Sequence, residues 1–492
     1  SLNAPTASCS VFKGCTSLSN ITFEGPIGMI GKELFSGCSS LKNVSIKGYT
    51  VIGQNAFSGT AIERFNVENG TVWIYDSAFA DCEKLTLVSI PASATKLGKR
   101  LFSGSPNVQV NLDGANEVYY TSEEANGAII DRVDNKLVCV PGACEGELIV
   151  PEGLVIDNYA FEGANGLTKI SLAALVIDTI PNYAFQNCTS LEEVVLPETI
   201  KTIGTQAFDG CISLKKVNLP EGLTEIKNYA FQNCTSLEEV VLPDTVETVG
   251  TFAWSGDTSL RKVTWSANAK VTTSDFAGCT SLETVILPEG VESIALNAFE
   301  NCSSLASITL PSTLTDIGVK AFNGTALTSI VLPANLKTLG GGAFANCAGF
   351  TSITFAEGND NFTTADNGMI YDKNNTLVYV PSTIGGEVVL AKGVKLGKYA
   401  FAFNTKITNV VLPDDLEEIP EGAFFGCTAL TTLVVPDSVN TYGASMCEGC
   451  TALTSVTLGK GGNTLPKAAF KDCTALRELT IPENITTVNT AT

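Results

Sequence analysis

Apolar and polar residues alternate along this chain in a mixed rhythm that repeats. In one stretch the apolar positions are Ala184, Phe185, Cys188, Leu191, Val194, Leu196, Ile200 and Ile203. The piece Val194-x-Leu196 has period two, the mark of a short strand with one buried face. Pro197 ends it, because proline has no N–H to donate to a continuing ladder. The segment 200–204 predicts a second short strand. The segment 182–188 is too short for a regular helix and predicts a helical turn or 3-10 piece on the outer side. The whole pattern returns every 22 or 23 residues, anchored on an aromatic that usually follows alanine. Eighteen copies run from Phe12 to Phe470; sixteen carry Phe, and the others carry Trp254 and Cys447. The words NYAFQNCTSLEEVVLP stand unchanged at 182–197 and 228–243, with the relative TQAFDGCISLKKVNLP between them at 205–220.

A unit with one strand cannot cover its own apolar side, but stacked units cover each other, so near-identical neighbours are what such a stack requires. Each buried Leu, Ile or Phe contributes roughly 1.5–3 kcal/mol, and the stack is stable as a sum. The pattern therefore predicts a single solenoid over 1–492 of about 18 rungs. A parallel β-sheet forms one face, with short strands and helical turns on the other. Two steps are long, Phe102 to Phe161 and Phe344 to Phe401; each holds one degenerate repeat and an insertion. The insertions, around 113–150 and 357–390, are related to each other through NGAIIDRVDNKLVCVP and NGMIYDKNNTLVYVP. Apolar alternation on both sides of a polar turn predicts a β-hairpin in each, placed either to bind or to mark a junction between blocks. Their Asp and Asn residues do not have the spacing of a calcium loop and read as turn chemistry.

The unit A-F-x-x-C-x-x-L-x-x-V-x-L-P-x-x-L-x-x-I resembles a leucine-rich repeat, in the bacterial surface subclass known as BspA-like or Treponema-type. One departure from the commoner consensus is visible: Thr199 stands three residues after Leu196, where Asn or Cys is usual. The resemblance implies export to the surface of host-associated bacteria or some protists, and adhesion to host proteins or to other cells. It implies no particular receptor.

Twelve cysteines share one repeat position, and the other six rungs hold Thr60, Ser105, Ala164, Asp257, Thr325 or Asn404 there. The slot is small, and a buried free thiol fits it. Cys82 lies between rungs with Thr60 and Ser105, which argues against disulfides from rung to rung. The C-E-G-C at 447–450 follows from register: Cys450 is the slot cysteine and Cys447 stands in the aromatic position. Cys9, in the incomplete first unit, reads as a surface or capping residue. Cys139 and Cys144 stand where the second insertion has Tyr379 and Ile384, and a pair that is apolar in one copy and Cys–Cys in the other suggests contact across a turn, as a disulfide or as two packed thiols.

The formal charge is −21, which disfavours nucleic acid as a partner. The chain has no histidine, so it lacks the usual general base and the commonest zinc ligand. No apolar run reaches the roughly 18 residues of a membrane helix. No cofactor or metal is called for, and the pattern is not that of an enzyme. The outward residues of the strands are mostly Thr, Ser and Val, without an aromatic platform. Beside them charges alternate by rung: Glu192 and Glu193, Lys215 and Lys216, Glu238 and Glu239, Arg261 and Lys262. The candidate binding face is Glu193, Val195, Lys216, Asn218, Glu239, Val241, Lys262 and Thr264. The expected function is protein–protein interaction or adhesion by an extracellular or cell-surface protein, with a structural spacer carrying another domain as the alternative. The chain opens inside a repeat near Val11 and stops after ITTVNTAT without an evident polar cap, which fits a piece of a larger protein.

Overall fold

A computed structural model describes residues 10–489; Cys9 and the last three residues lie outside the described residues. The chain falls into two units, Ser1–Leu260 and Arg261–Thr492. Each is a stack of leucine-rich turns with parallel strands, and together they hold about 20 turns, because each long step contains one further turn.

In the first unit the strands Gly146–Ile149, Leu167–Ser171, Glu193–Val195 and Lys216–Val217 form one parallel sheet. Their partners in register are successive copies of the same repeat position, as in Lys169, Glu193 and Lys216. The short strands Thr179–Ile180, Thr202–Ile203, Glu225–Ile226 and Thr248–Val249 form a second parallel wall. Between the walls lies a column of aromatic rings. Phe161, Phe185, Phe208 and Phe231 stack with centroids 4.7, 4.9 and 5.0 Å apart. The second unit repeats this plan, with Phe276, Phe299, Phe322 and Phe344 stacked at 5.3–5.5 Å.

The expected helical turns are not found: no helix occurs among the described residues. The aromatic sits in consecutive turns bracketed by left-handed residues, Tyr183 (φ 61°) and Asn187 (φ 58°) around Phe185. These two reversals turn the N–H groups away from their own segment and toward the next rung. Phe185 N donates to Ala207 O at 2.8 Å, and Asn187 N to Asp209 O at 2.8 Å. The turn is thus a third backbone ladder, which satisfies groups that a helix would have paired internally. Glycine appears where rungs approach most closely. A Cβ on Gly204 would lie 2.7 Å from Asn182 N and from Ile180 O.

The cysteine slot has a specific bonding role. Cys188 Sγ donates to Phe161 O at 2.9 Å and Cys211 Sγ to Phe185 O at 3.0 Å. Each thiol ties its rung to the aromatic carbonyl of the rung before. Ser105 Oγ makes the same bond to Phe79 O at 2.8 Å.

In the first long step Tyr119–Ser122, Ala128–Asp131 and Lys136–Cys139 form an antiparallel meander, and the last pairs in parallel with Val155–Ile156. Ala128, Ile129 and Ile130 are buried, so the added strand packs within the wall. Gly146–Ile149, at the end of the same segment, belongs to the main sheet. The second step repeats this with Phe362–Thr364, Ile370–Asp372 and Thr376–Tyr379. Its turn is closed by Asp372 Oδ1, which accepts N–H groups from Asn374 and Thr376 at 2.9 and 2.8 Å.

Candidate protein-binding face

The outward side chains of the main sheet are held by the register of the ladder. In the first unit Glu193 lies beside Lys216, and Val194 beside Val217. In the second unit Lys262 and Thr264 lie beside Thr284 and Ile286. The outward β-branched residues are well exposed, Val241 at 53% in the first unit and Val434 at 64% in the second. The charge ladder is partial. Lys215 Nζ meets Glu192 Oε2 at 2.8 Å, and Lys169 lies between Glu147 and Glu193 at 3.4 and 3.7 Å. Glu238, expected to continue the ladder from Lys215 and Lys216, makes no ion pair among the described residues, and neither does Lys216.

The reason is a break in the sheet. Where the sheet is continuous, the strand-ending residue donates to a backbone carbonyl of the next rung, as Leu172 N does to Val195 O at 2.9 Å. At the next rung an amide side chain takes that place: Leu196 N donates to Asn218 Oδ1 at 2.9 Å, and Asn218 Nδ2 donates to Leu196 O at 3.3 Å. Lys216–Val217 is the last strand of its sheet and is not hydrogen-bonded to Glu239–Val241. Val217 and Leu219 are half-buried, whereas Val194, Leu196, Val240 and Leu242 are buried. The opening is a shallow depression of about 620 Å³, lined among others by Lys216, Val217, Asn218, Glu238, Glu239 and Val241. Four of the expected face residues therefore share one site: Lys216, Asn218, Glu239 and Val241. Glu193 and Val195 lie on the strand beside it. Val217 and Leu219 were not singled out from the sequence, and Glu238 was read as part of the charge ladder and not of the binding face. The signal that could have found them is the middle copy itself, where KKVN replaces the EEVV of both flanking copies.

Cys139 and Cys144 are both free thiols, not joined in a disulfide. Cys144 Sγ donates to Asn126 O at 2.8 Å. Burial pushes the Cys139 thiol up to about 12, helped by Cys144 and Glu162, and pushes Cys144 up to about 11. Nearby, buried Glu162 joins two rungs across the insertion: its Oε1 accepts from Arg100 at 3.0 Å and from Ser103 at 2.7 Å. In the second unit Lys320 Nζ stands over the rings of Tyr399, Phe403 and Phe425 at 4.8, 5.5 and 4.7 Å. No helix among the described residues is long and apolar enough to cross a membrane.

Stacked turns with one strand and one leucine set apiece define a leucine-rich-repeat solenoid, a fold class that serves as a binding scaffold for other proteins. The chain belongs to the family of BspA type leucine rich repeat regions, which matches residues 6–124, 154–279, 269–386 and 394–492. Among solved structures it is similar to a leucine-rich repeat protein from Bacteroides ovatus, at 23% identity over 76% of this chain and 88% of that one, with a TM-score of 0.42. It is also similar to a leucine rich cell surface protein from Faecalibacterium prausnitzii (22% identity, 76% and 95% covered, TM-score 0.40). A third is a leucine-rich repeat protein from Eubacterium ventriosum (21% identity, 65% and 87% covered, TM-score 0.48). No curated protein matches it in sequence.

Proposed function

We propose that this chain is a non-enzymatic adhesion scaffold, displayed at the cell surface or secreted, that binds a protein of a host or of a neighbouring cell. The observation that carries the reading is the outward face of the main sheet. It is regular, weakly polar and studded with exposed valines such as Val241, next to the open site at Asn218. A surface of that kind offers apolar area and hydrogen-bonding groups together, the mixture found in protein interfaces. The absence of histidine from the chain is in keeping with binding without chemistry. The inserted meanders add further edge and surface beside the repeats, and a Cys139–Cys144 disulfide would staple the first of them in an oxidising compartment.

The test is binding of the purified chain to an array of extracellular-matrix and cell-surface proteins, run beside a Val195→Arg/Val241→Arg variant. Saturable binding to a defined protein, weakened about tenfold or more in the variant, is the expected result. Binding that the two arginines leave untouched would move the function off this face.

A further inference from the structure

We infer that the opening beside Asn218 receives an extended, basic segment of the partner protein, paired by backbone hydrogen bonds to the free edge of Lys216–Val217. This rests on the scaffold reading above and names the kind of segment the site takes. Three observations meet at one rung. The first is an edge: Lys216–Val217 ends a sheet in the middle of a run of repeats. On either side of the break the second wall and the aromatic column continue, with Glu225 and Thr248 in register and Phe208 stacked on Phe231 at 5.0 Å. An exposed strand edge is a template for an incoming strand.

The second observation is apolar. Val217 and Leu219 are buried positions of the repeat left half-exposed here, so alternate side chains of an extended segment have something to cover. The third is charge. Lys215 is already engaged by Glu192, and Lys216 faces the opening alone, while Glu221 and Glu238 line it without an ion pair among the described residues. Glu221 and Glu238 thus stand against Lys216 there, two acids to one lysine. An acidic slot selects basic side chains, and does so more strongly at low salt.

Sequence shows that the opening is written into one copy. Residues 205–220 differ from the identical flanking copies at eight positions, and the three of these that line the slot are the lysine pair and Asn218. The main sheet also stops between Asn43–Ser45 and Arg64–Asn66, where Lys42 and Arg64 would repel a basic segment, and in the second unit the segment 306–310 carries no strand but contains no charged residue, so a basic segment has no reason to prefer either.

The experiment uses the full chain and a short synthetic peptide of alternating lysine and valine, fluorescently labelled. Anisotropy should show saturable binding that weakens as salt rises. Asn218→Val restores the residue both flanking copies carry, so the variant should fold; it should re-form the ladder and weaken the peptide about tenfold. Glu238→Lys, at an exposed position, should weaken it by a similar factor. The same peptide N-methylated at every residue should not bind, because it has no N–H left to pair with the edge. Hydrogen exchange should slow at 216–219 when the peptide is added. Absence of saturable binding, or equal binding to the Asn218→Val chain, overturns the inference. Protection on another stretch of the sheet also overturns it while leaving the scaffold reading intact, since that reading is tested separately by the Val195 and Val241 arginines.

Discussion

A single thiol shows how closely this fold is specified. Cys211 is buried and donates to the carbonyl of Phe185 one rung back. Replacing it with alanine removes that bond and leaves a small void, so Cys211→Ala should lower stability by about 1–2 kcal/mol. Cys211→Ser keeps a donor in the slot, as Ser105 does, and should recover part of the loss. Urea melts of the three chains decide; an alanine variant as stable as the parent would dismiss the bond. The same burial makes the thiols poor acids. Desolvation holds Cys211 well above the ordinary thiol value, aided by Cys188, and pushes Cys473 up to about 12. In the unfolded chain these groups ionise near 9, so between 9 and the folded value the native state binds more protons than the unfolded one. Stability is therefore full below about pH 9 and falls as pH rises toward 12. Melting temperatures should be level from neutral to mildly alkaline pH and drop beyond, and alkylation at pH 8 should leave Cys211 unmodified until the chain is unfolded.

At the scale of the element, three ladders share the work. The main strands, the short second strands and the bracketed aromatic turns each bond rung to rung. Strand and proline signals were legible in the sequence because they are local: Val194-x-Leu196-Pro197 says where a strand runs and stops. The turn was not. Tyr183 is a bulky residue in a left-handed conformation, which local preference argues against. It is held there by the ladder and by its stack on Tyr159, with ring centroids 4.6 Å apart. The charge ladder was half legible. Lys215 finds Glu192 but Glu238 is left out, because pairing depends on the sheet being continuous and it is broken at Asn218. The surviving pair is exposed and is worth about 0–1 kcal/mol. Lys215→Glu should lower the melting temperature slightly, and by more at low salt than at high salt; a shift independent of salt would remove the ion pair from the account.

Across each unit, stability is a sum of neighbour contacts, so the fold tolerates an inserted meander provided the chain returns in register. The strand Lys136–Cys139 does so by pairing with Val155–Ile156. Far-UV circular dichroism of the whole chain should lack the helical double minimum, since no helix occurs among the described residues. A clear helical band would contradict the turn geometry. The formal charge of −21 also acts at this scale: association with a basic partner should weaken steadily with ionic strength.

The period, the strands, the aromatic column and the small cysteine slot were determined by the sequence alone, because each rung meets only its neighbours and a repeated pattern describes those neighbours completely. Tertiary structure decided the rest. Which way a turn points its N–H groups, what a buried thiol bonds to, and where an asparagine side chain stands in for a backbone carbonyl beside a break in the sheet are properties of one rung set against another. They arise from distances of a few ångströms across the stack, which the order of residues along the chain does not record.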